Sequence, residues 1–273
     1  MQRTPLRHFI APGEMTLGQN ERMGDEGTLR GRHALVTGGG TGIGRAIAEA
    51  LRDRGASVTV TGRRADALTA VPGVHAVPMD VQSAESVEAG VARARDAHGP
   101  ITICVANAGI AEGRNLADTD EAFWRDVMST NLDGCYRTFR ACIPDMLAEG
   151  WGRAIAISSI AGLKGLRGAA AYTASKHGMI GLVRGLAADF VRKPLTVNAI
   201  CPAYVDTDIV PQNLQRLRDR GLDEAAAQAA ILDANPHGRL IDPDEVAALA
   251  AWLCSHGARS VNGQALQVSG GEF

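Results

Sequence analysis

A single α/β domain on a doubly wound, seven-stranded parallel sheet is the fold this 273-residue sequence predicts. Three observations carry that reading. Short apolar runs recur from Arg32 onward, each brief enough for a strand buried on both faces. Helical stretches separate most of them, and alternating strands and helices pair in parallel through right-handed crossovers. A glycine-dense loop joins the first run to the first helix, the junction where open sheets of this kind receive ligands.

Taken in order, residues 1–30 stand apart. Gly13, Gly18, Gly24, Gly27 and scattered charges leave no apolar period, so a flexible extension is expected there and the domain is assigned to 31–273. The stretch has no signal-peptide core, and Glu14, Glu21, Asp25 and Glu26 argue against an organellar transit segment. Strands are expected at Ala34–Val36, Val58–Val60, Val74–Val77, Ile101–Val105, Ala154–Ile157, Thr196–Ile200 and Ala265–Val268. Helices are expected at Gly44–Arg54, Ala84–Ala97, Glu121–Glu149, Tyr172–Phe190 and Asp244–Cys254. The run Asp242-Pro243-Asp244-Glu245 puts a proline and acids into the first turn of the last of these. Asp208–Asn235 reads as polar and helical.

Composition narrows the class of function. Hydrophobic residues at 45% and charged residues at 21% suit a globular domain, and one of this length can bury about three quarters of its unfolded surface. A formal net charge of −2 lacks the basic footprint of a nucleic-acid binder. No apolar run is long enough to predict a membrane span. Cys104, Cys135, Cys142, Cys201 and Cys254 are odd in number and form no CxxC pair, so they are expected to be buried and reduced, in a cytoplasmic setting and without a metal.

The glycine loop runs Thr37-Gly38-Gly39-Gly40-Thr41-Gly42-Ile43-Gly44 into the helical Arg45-Ala46-Ile47. Glycines allow a tight turn and close approach to a pyrophosphate, and the free N–H groups of the helix start face the anion. Packing so many glycines together costs backbone entropy that a plain turn would not require. No Lys-Ser/Thr follows, which excludes an ATP-type P-loop. The end of the second strand reads Thr61-Gly62-Arg63-Arg64, with arginines where an NAD-binding acid would stand. Arginine suits a 2′-phosphate through charge-assisted bonds, so NADP is favoured over NAD, with Arg63 the ligand and Arg64 read as solvated.

Further on come Ser158-Ser159-Ile160-Ala161-Gly162 and Tyr172-Thr173-Ala174-Ser175-Lys176. Tyr172 and Lys176 are four apart and share one helical face. Ser159 ends a strand at the carboxyl edge of the sheet. A hydroxyl, a phenol and an ammonium converging there can polarise and protonate a carbonyl.

With these residues in view, the chain from Arg32 to its end resembles the short-chain dehydrogenases/reductases of the single-domain kind, whose sheet is Rossmann-type. Thr37–Gly44 is similar to the family's TGxxxGxG loop, Asp80-Val81 to its adenine contact, and Asn107-Ala108-Gly109 to its NNAG stretch, with Ala106 in place of the first Asn. Asn131, Ser159, Tyr172 and Lys176 match the catalytic tetrad. Cys201–Thr207 matches the PG segment, with Ala203 in place of Gly. The resemblance implies a dinucleotide site of Gly38, Thr41, Gly42, Ile43, Gly44, Arg63, Asp80, Val81, Asn107, Ala108 and Gly109. Val205 and Thr207 would meet the nicotinamide amide, with Tyr172 and Lys176 also at the cofactor. It implies a phenol donating the proton, a serine holding the same oxygen, and Asn131 holding a water that links Lys176 to solvent.

The implied activity is hydride transfer between NADP(H) and a ketone or secondary alcohol, 3-oxoacyl thioesters among them; an NAD-linked alcohol dehydrogenase is the alternative. Residues 208–237 would be the substrate lid. Its Arg216, Arg218 and Arg220, with Lys164 and Arg167 at the site mouth, offer contact to coenzyme A or an acyl carrier. Met128, Leu132, Phe139, Leu182, Val183 and Leu186 lie on two long helices that family members bury between subunits, so a homotetramer is expected.

Overall fold

A computed structural model describes residues 28–207, 209–219 and 221–272. The expected extension therefore lies almost wholly outside the described residues. Leu29, at its end, is buried, and its N–H bonds to the Arg54 carbonyl at 2.6 Å.

Seven strands form one parallel sheet: β1 His33–Thr37, β2 Ser57–Gly62, β3 His75–Pro78, β4 Ile103–Ala106, β5 Gly152–Ile157, β6 Leu195–Pro202 and β7 Ala265–Val268. Their order is β3-β2-β1-β4-β5-β6-β7. The direction of winding reverses between β1 and β4, and the chain opens a crevice beyond the carboxyl ends of those two strands. β1, β4, β5 and β6 are buried along their whole length, the polar His33, Thr37, Arg153, Thr196 and Asn198 among them.

Helices cover both faces. On one side α1 (Gly42–Asp53) packs on α9 (Pro243–Leu253), and Ile47, Leu51, Val246 and Ala250 meet Val36, Val58, Ile155 and Ile200. On the other lie α3 (Ala84–His98), α5 (Gly134–Ala148) and α6 (Ala170–Asp189), whose Val87, Phe139, Met146, Met179 and Val183 meet Leu35, Cys104 and Val197. The starts follow local chemistry: the Ser83 hydroxyl accepts from Ser86 N–H to open α3, and Asp242 forms a capping box with Glu245 to open α9.

Four features depart from the sequence reading. Glu121–Glu149 is not one regular helix: α4 (Glu121–Met128) and α5 are joined by a π-turn over Ser129–Asp133. A short α2 (Ala65–Thr69) follows β2. The lid region divides into α7 (Ile209–Asp219) and α8 (Glu224–Leu232), the second opened by the Asp223 carboxylate on Ala226 N–H. Phe139 and Val183, expected on an outer surface, are fully enclosed in the subunit core, because every third or fourth position of α5 and α6 faces the sheet.

Candidate active site

The glycine loop is built around β1 and β4. Thr37 Oγ1 accepts the N–H groups of Asn107 and Ala108, both at 3.0 Å, and Asn107 Nδ2 donates to the carbonyls of Thr37 at 2.9 Å and Gly38 at 3.2 Å. Gly44 packs against this latch, where a Cβ would stand 2.2 Å from the Gly38 oxygen and 2.4 Å from Asn107 Nδ2. Gly42 takes φ +51°, a left-handed conformation that only glycine adopts freely, and faces the Thr207 methyl. A side chain has no room at Gly44 and would be strained at Gly42.

These segments wall a cleft of about 340 Å³. It runs from Arg63, Arg64 and Asp80 at one end, past Gly38, Thr41, Gly42, Ile43, Gly44 and Val81, to Asn107, Ala108 and Gly109 and on to Tyr172, Lys176 and Thr207. The helix start and the glycine cradle suit a pyrophosphate, and the two guanidinium groups suit a further phosphate at the far end. Arg64, read from the sequence as solvated, is exposed; it also lines the cleft beside Arg63 and donates to Thr41 Oγ1 at 3.3 Å. Its neighbour across the turn is not adjacent in sequence, so no local pattern marks it.

Tyr172 and Lys176 occupy successive turns of α6, with Lys176 Nζ 5.6 Å from the centre of the Tyr172 ring. Nζ donates to the Ile157 carbonyl at 2.9 Å. Burial pushes the Lys176 ammonium down to about 8, against the opposing influence of the Cys135 and Cys201 thiols. Burial raises the Tyr172 phenol above its ordinary value, and the adjacent Ser159 hydroxyl draws it back. Ser159 stands just past β5, and its Oγ accepts from Ala161 N–H at 3.1 Å.

Asn131 lies in the π-turn, fully enclosed. Its Oδ1 accepts from Ile110 N–H at 2.7 Å, and its Nδ2 donates to the Ile110 carbonyl and to Ser175 Oγ, both at 3.0 Å. The Ser175 hydroxyl donates in turn to the Tyr172 carbonyl at 2.7 Å. The amide therefore ties the loop after β4 to the helix that carries the tyrosine and lysine. The extra residue of a π-turn makes this reach possible.

A second cleft of about 380 Å³ meets the first at Ile43, Ala111, Ser158, Tyr172 and Thr207. Its walls are mostly apolar, with Ile160, Leu166, Val205, Val210 and Ile231 among them, and beyond the shared Ser158, Tyr172 and Thr207 the polar side chains are Ser159, Tyr204, Glu112 and Arg167. Val205, expected beside the cofactor, borders this second cleft. Lys164 is ion-paired with Glu272, and Arg218 with Glu224; among the described residues, Arg167 is the one of the named cations that borders the cleft. The side chains of Arg216 and Arg220 fall outside the described residues.

Fold and clefts together define a dinucleotide-binding oxidoreductase scaffold. A family model described as enoyl-(acyl carrier protein) reductase matches residues 38–272. An acetoacetyl-CoA reductase of Rhizobium meliloti is 36% identical over 246 residues, covering 89% of this chain and 98% of that protein. A 3-oxoacyl-[acyl-carrier-protein] reductase of Vibrio cholerae is 35% identical over 250 residues, covering 90% and 98%. Among solved structures, a variant of actinorhodin polyketide ketoreductase with NADPH superposes with a TM-score of 0.85 at 35% identity, covering 88% of this chain and 96% of that one. The chain belongs to the short-chain dehydrogenase/reductase family, oxidoreductases that act on CH–OH and keto groups.

Proposed function

We propose that this chain is an NADP(H)-dependent ketone reductase whose substrates include 3-oxoacyl thioesters, and that it also runs the reverse oxidation of the secondary alcohol. The carrying observation is that Tyr172 borders both clefts, with Ser159 on the substrate side and Lys176 on the other. The similarity to acetoacetyl-CoA and 3-oxoacyl reductases and to a ketoreductase solved with NADPH supports the substrate class and the cofactor.

Gly38, Thr41, Gly42, Ile43 and Gly44 would hold the pyrophosphate, Arg63 the 2′-phosphate, and Asp80 and Val81 the adenine. Asn107, Ala108 and Gly109 would line the ribose side, with Thr207 near the nicotinamide. The bound dinucleotide supplies the hydride for reduction and takes it up in oxidation. Tyr172 donates its phenolic proton to the ketone oxygen as negative charge develops there, and Ser159 holds the same oxygen. Working near neutrality requires roughly 4 kcal/mol of preferential phenolate stabilisation against an ordinary pKa of about 10. Lys176, a cation one helical turn away, supplies part of it. Asn131 keeps α6 in register. Its amide is engaged by Ile110 and Ser175, and its oxygen, which accepts one bond, has a second lone pair for the water that would link Lys176 to solvent.

The substrate cleft can take an acyl chain against Val205, Val210 and Ile231, with Arg167 placed for a carrier phosphate. The proposed assembly is a homotetramer. Trp124 and Tyr136, 36% and 48% exposed on α4 and α5, support it, as do Gly181 and Gly185, where α6 is bare of side chains and open to a close neighbour. All five cysteines are buried and free, which fits the cytoplasm.

Tyr172→Phe tests the reading. It removes one proton donor and keeps the ring, so turnover of a 3-oxoacyl thioester should vanish while NADPH titration by fluorescence stays near wild type. Activity above about a tenth of wild type would refute Tyr172 as the acid.

A further inference from the structure

We propose that Ser158 is a positioning residue for Lys176, its hydroxyl pinning α6 to the end of β5 at the lysine's own carbonyl. The inference rests on the catalytic roles proposed above for Lys176 and Tyr172.

Lys176 is held at both ends by consecutive residues. Its Nζ donates to the Ile157 carbonyl at 2.9 Å, and its backbone carbonyl accepts the Ser158 hydroxyl at 3.1 Å. The next residue is Ser159. One extended tripeptide thus receives the ammonium, anchors the backbone behind it, and presents the hydroxyl beside Tyr172. Ser158 is itself fixed, since it is buried and its N–H bonds to the Ile200 carbonyl at 2.8 Å.

The seam between strand end and helix is closed as tightly as backbone allows. At Gly162 a Cβ would stand 2.7 Å from Ser158 Oγ and 2.8 Å from the Lys176 oxygen. A helix carbonyl has two lone pairs, so it can take the serine proton in addition to its own helical bond. The donor count also closes. Burial pushes the neighbouring Cys201 thiol up to about 11, so it stays protonated beside the Ser158 hydroxyl and leaves that hydroxyl's proton for Lys176. A buried hydroxyl gains its place by such a bond; for packing alone, alanine would serve. Because Tyr172 lies one turn before Lys176, a slip of α6 along this seam moves phenol and ammonium together, and a misplacement of about 1 Å can cost a hundred-fold in rate.

The chain has three lysines, Lys164, Lys176 and Lys193, so 13C-ε-lysine NMR resolves the Lys176 titration directly without substrate. The wild-type signal should titrate near 8. Ser158→Ala removes the bond that holds the Lys176 carbonyl and lets α6 slip, so Lys176 gives up part of its burial; that should move the titration up by about half a pH unit or more, toward the ordinary lysine value, with kcat down roughly ten-fold. Gly162→Ala, which forces the same seam from the other side, should move it the same way. A Lys176 titration unmoved in both variants overturns the proposal, whatever happens to melting temperature or turnover. If the wild type reduces no ketone, the reductase reading fails while the NMR measurement still decides this one.

Discussion

Replacing Asn131 by alanine removes one side chain and three hydrogen bonds, and the cost can be worked from their geometry. The amide is fully enclosed, and its bonds of 2.7, 3.0 and 3.0 Å serve Ile110 N–H, the Ile110 carbonyl and Ser175 Oγ. Ser175 keeps its bond to the Tyr172 carbonyl, and Ile110 is half-buried, so water can satisfy part of the loss. At about 1 kcal/mol per bond the total is roughly 3 kcal/mol. For a domain of this size each kcal/mol moves the melting temperature by about 2–4 °C, giving a fall of roughly 6–12 °C. Scanning fluorimetry of the unliganded protein at one fixed scan rate measures it. Asn131→Asp keeps the acceptor but turns a carboxylate toward the Ile110 carbonyl. Its folded pKa should rise, so this variant should be most stable below the ordinary carboxylate value and lose stability as pH climbs from there through the raised folded value. A fall under about 2 °C for Asn131→Ala would refute the view that this amide fastens the turn after β4 to α6.

Arg63→Ala should raise the NADPH KM roughly ten-fold and leave NADH nearly unchanged, the lower end of what a solvent-screened charged bond to a 2′-phosphate contributes; equal weakening of both cofactors would sink the assignment. His33 is 2% exposed, with Nδ1 2.8 Å from the Gly99 carbonyl and Nε2 2.9 Å from Thr59 Oγ1. Burial, with His98 and His75 nearby, holds its pKa below 6.5. The unfolded chain then binds more protons, so stability present above pH 6.5 should be lost as pH falls through the folded value. A melting temperature flat between about pH 7.5 and 5.5 would contradict this. Light scattering at micromolar concentration should give the mass of a dimer or tetramer, and a monomer would refute the proposed assembly.

The strands were legible because burial on both faces writes itself as short, largely apolar runs; the observed β1, β2 and β6 extend the expected cores by a residue or two at each end, and β5 by two residues at its start. The glycine loop was legible for a similar reason, since Gly42 takes a left-handed φ and Gly44 leaves no room for a Cβ. The π-turn was not. Ser129-Thr130-Asn131-Leu132-Asp133 continues a helical pattern, and the bonds that accompany the extra residue go to Ile110, 21 positions away. Arg64 is exposed, as read, but its place at the cleft was not legible because its partner, Thr41, is 23 residues back. Phe139 and Val183 were placed outside because apolar content was counted without the helix phase. The Asp223 cap that divides α7 from α8 was present in the sequence and went unused.

The π-turn also sets a rule for insertions and deletions. A helix advances about 100° per residue, and the π-turn takes up one extra residue without passing that rotation on, so Cys135, Phe139 and Cys142 are buried on the same side as Phe123 and Val127. Removing one residue from Ser129–Asp133 would let α4 and α5 merge into an ordinary helix that keeps this buried face and gives up the reach of Asn131 to Ile110 and Ser175. The extra residue therefore serves the site and not the core: a single-residue deletion there should still fold, with a lowered melting temperature, where a deletion at the centre of β5 should not.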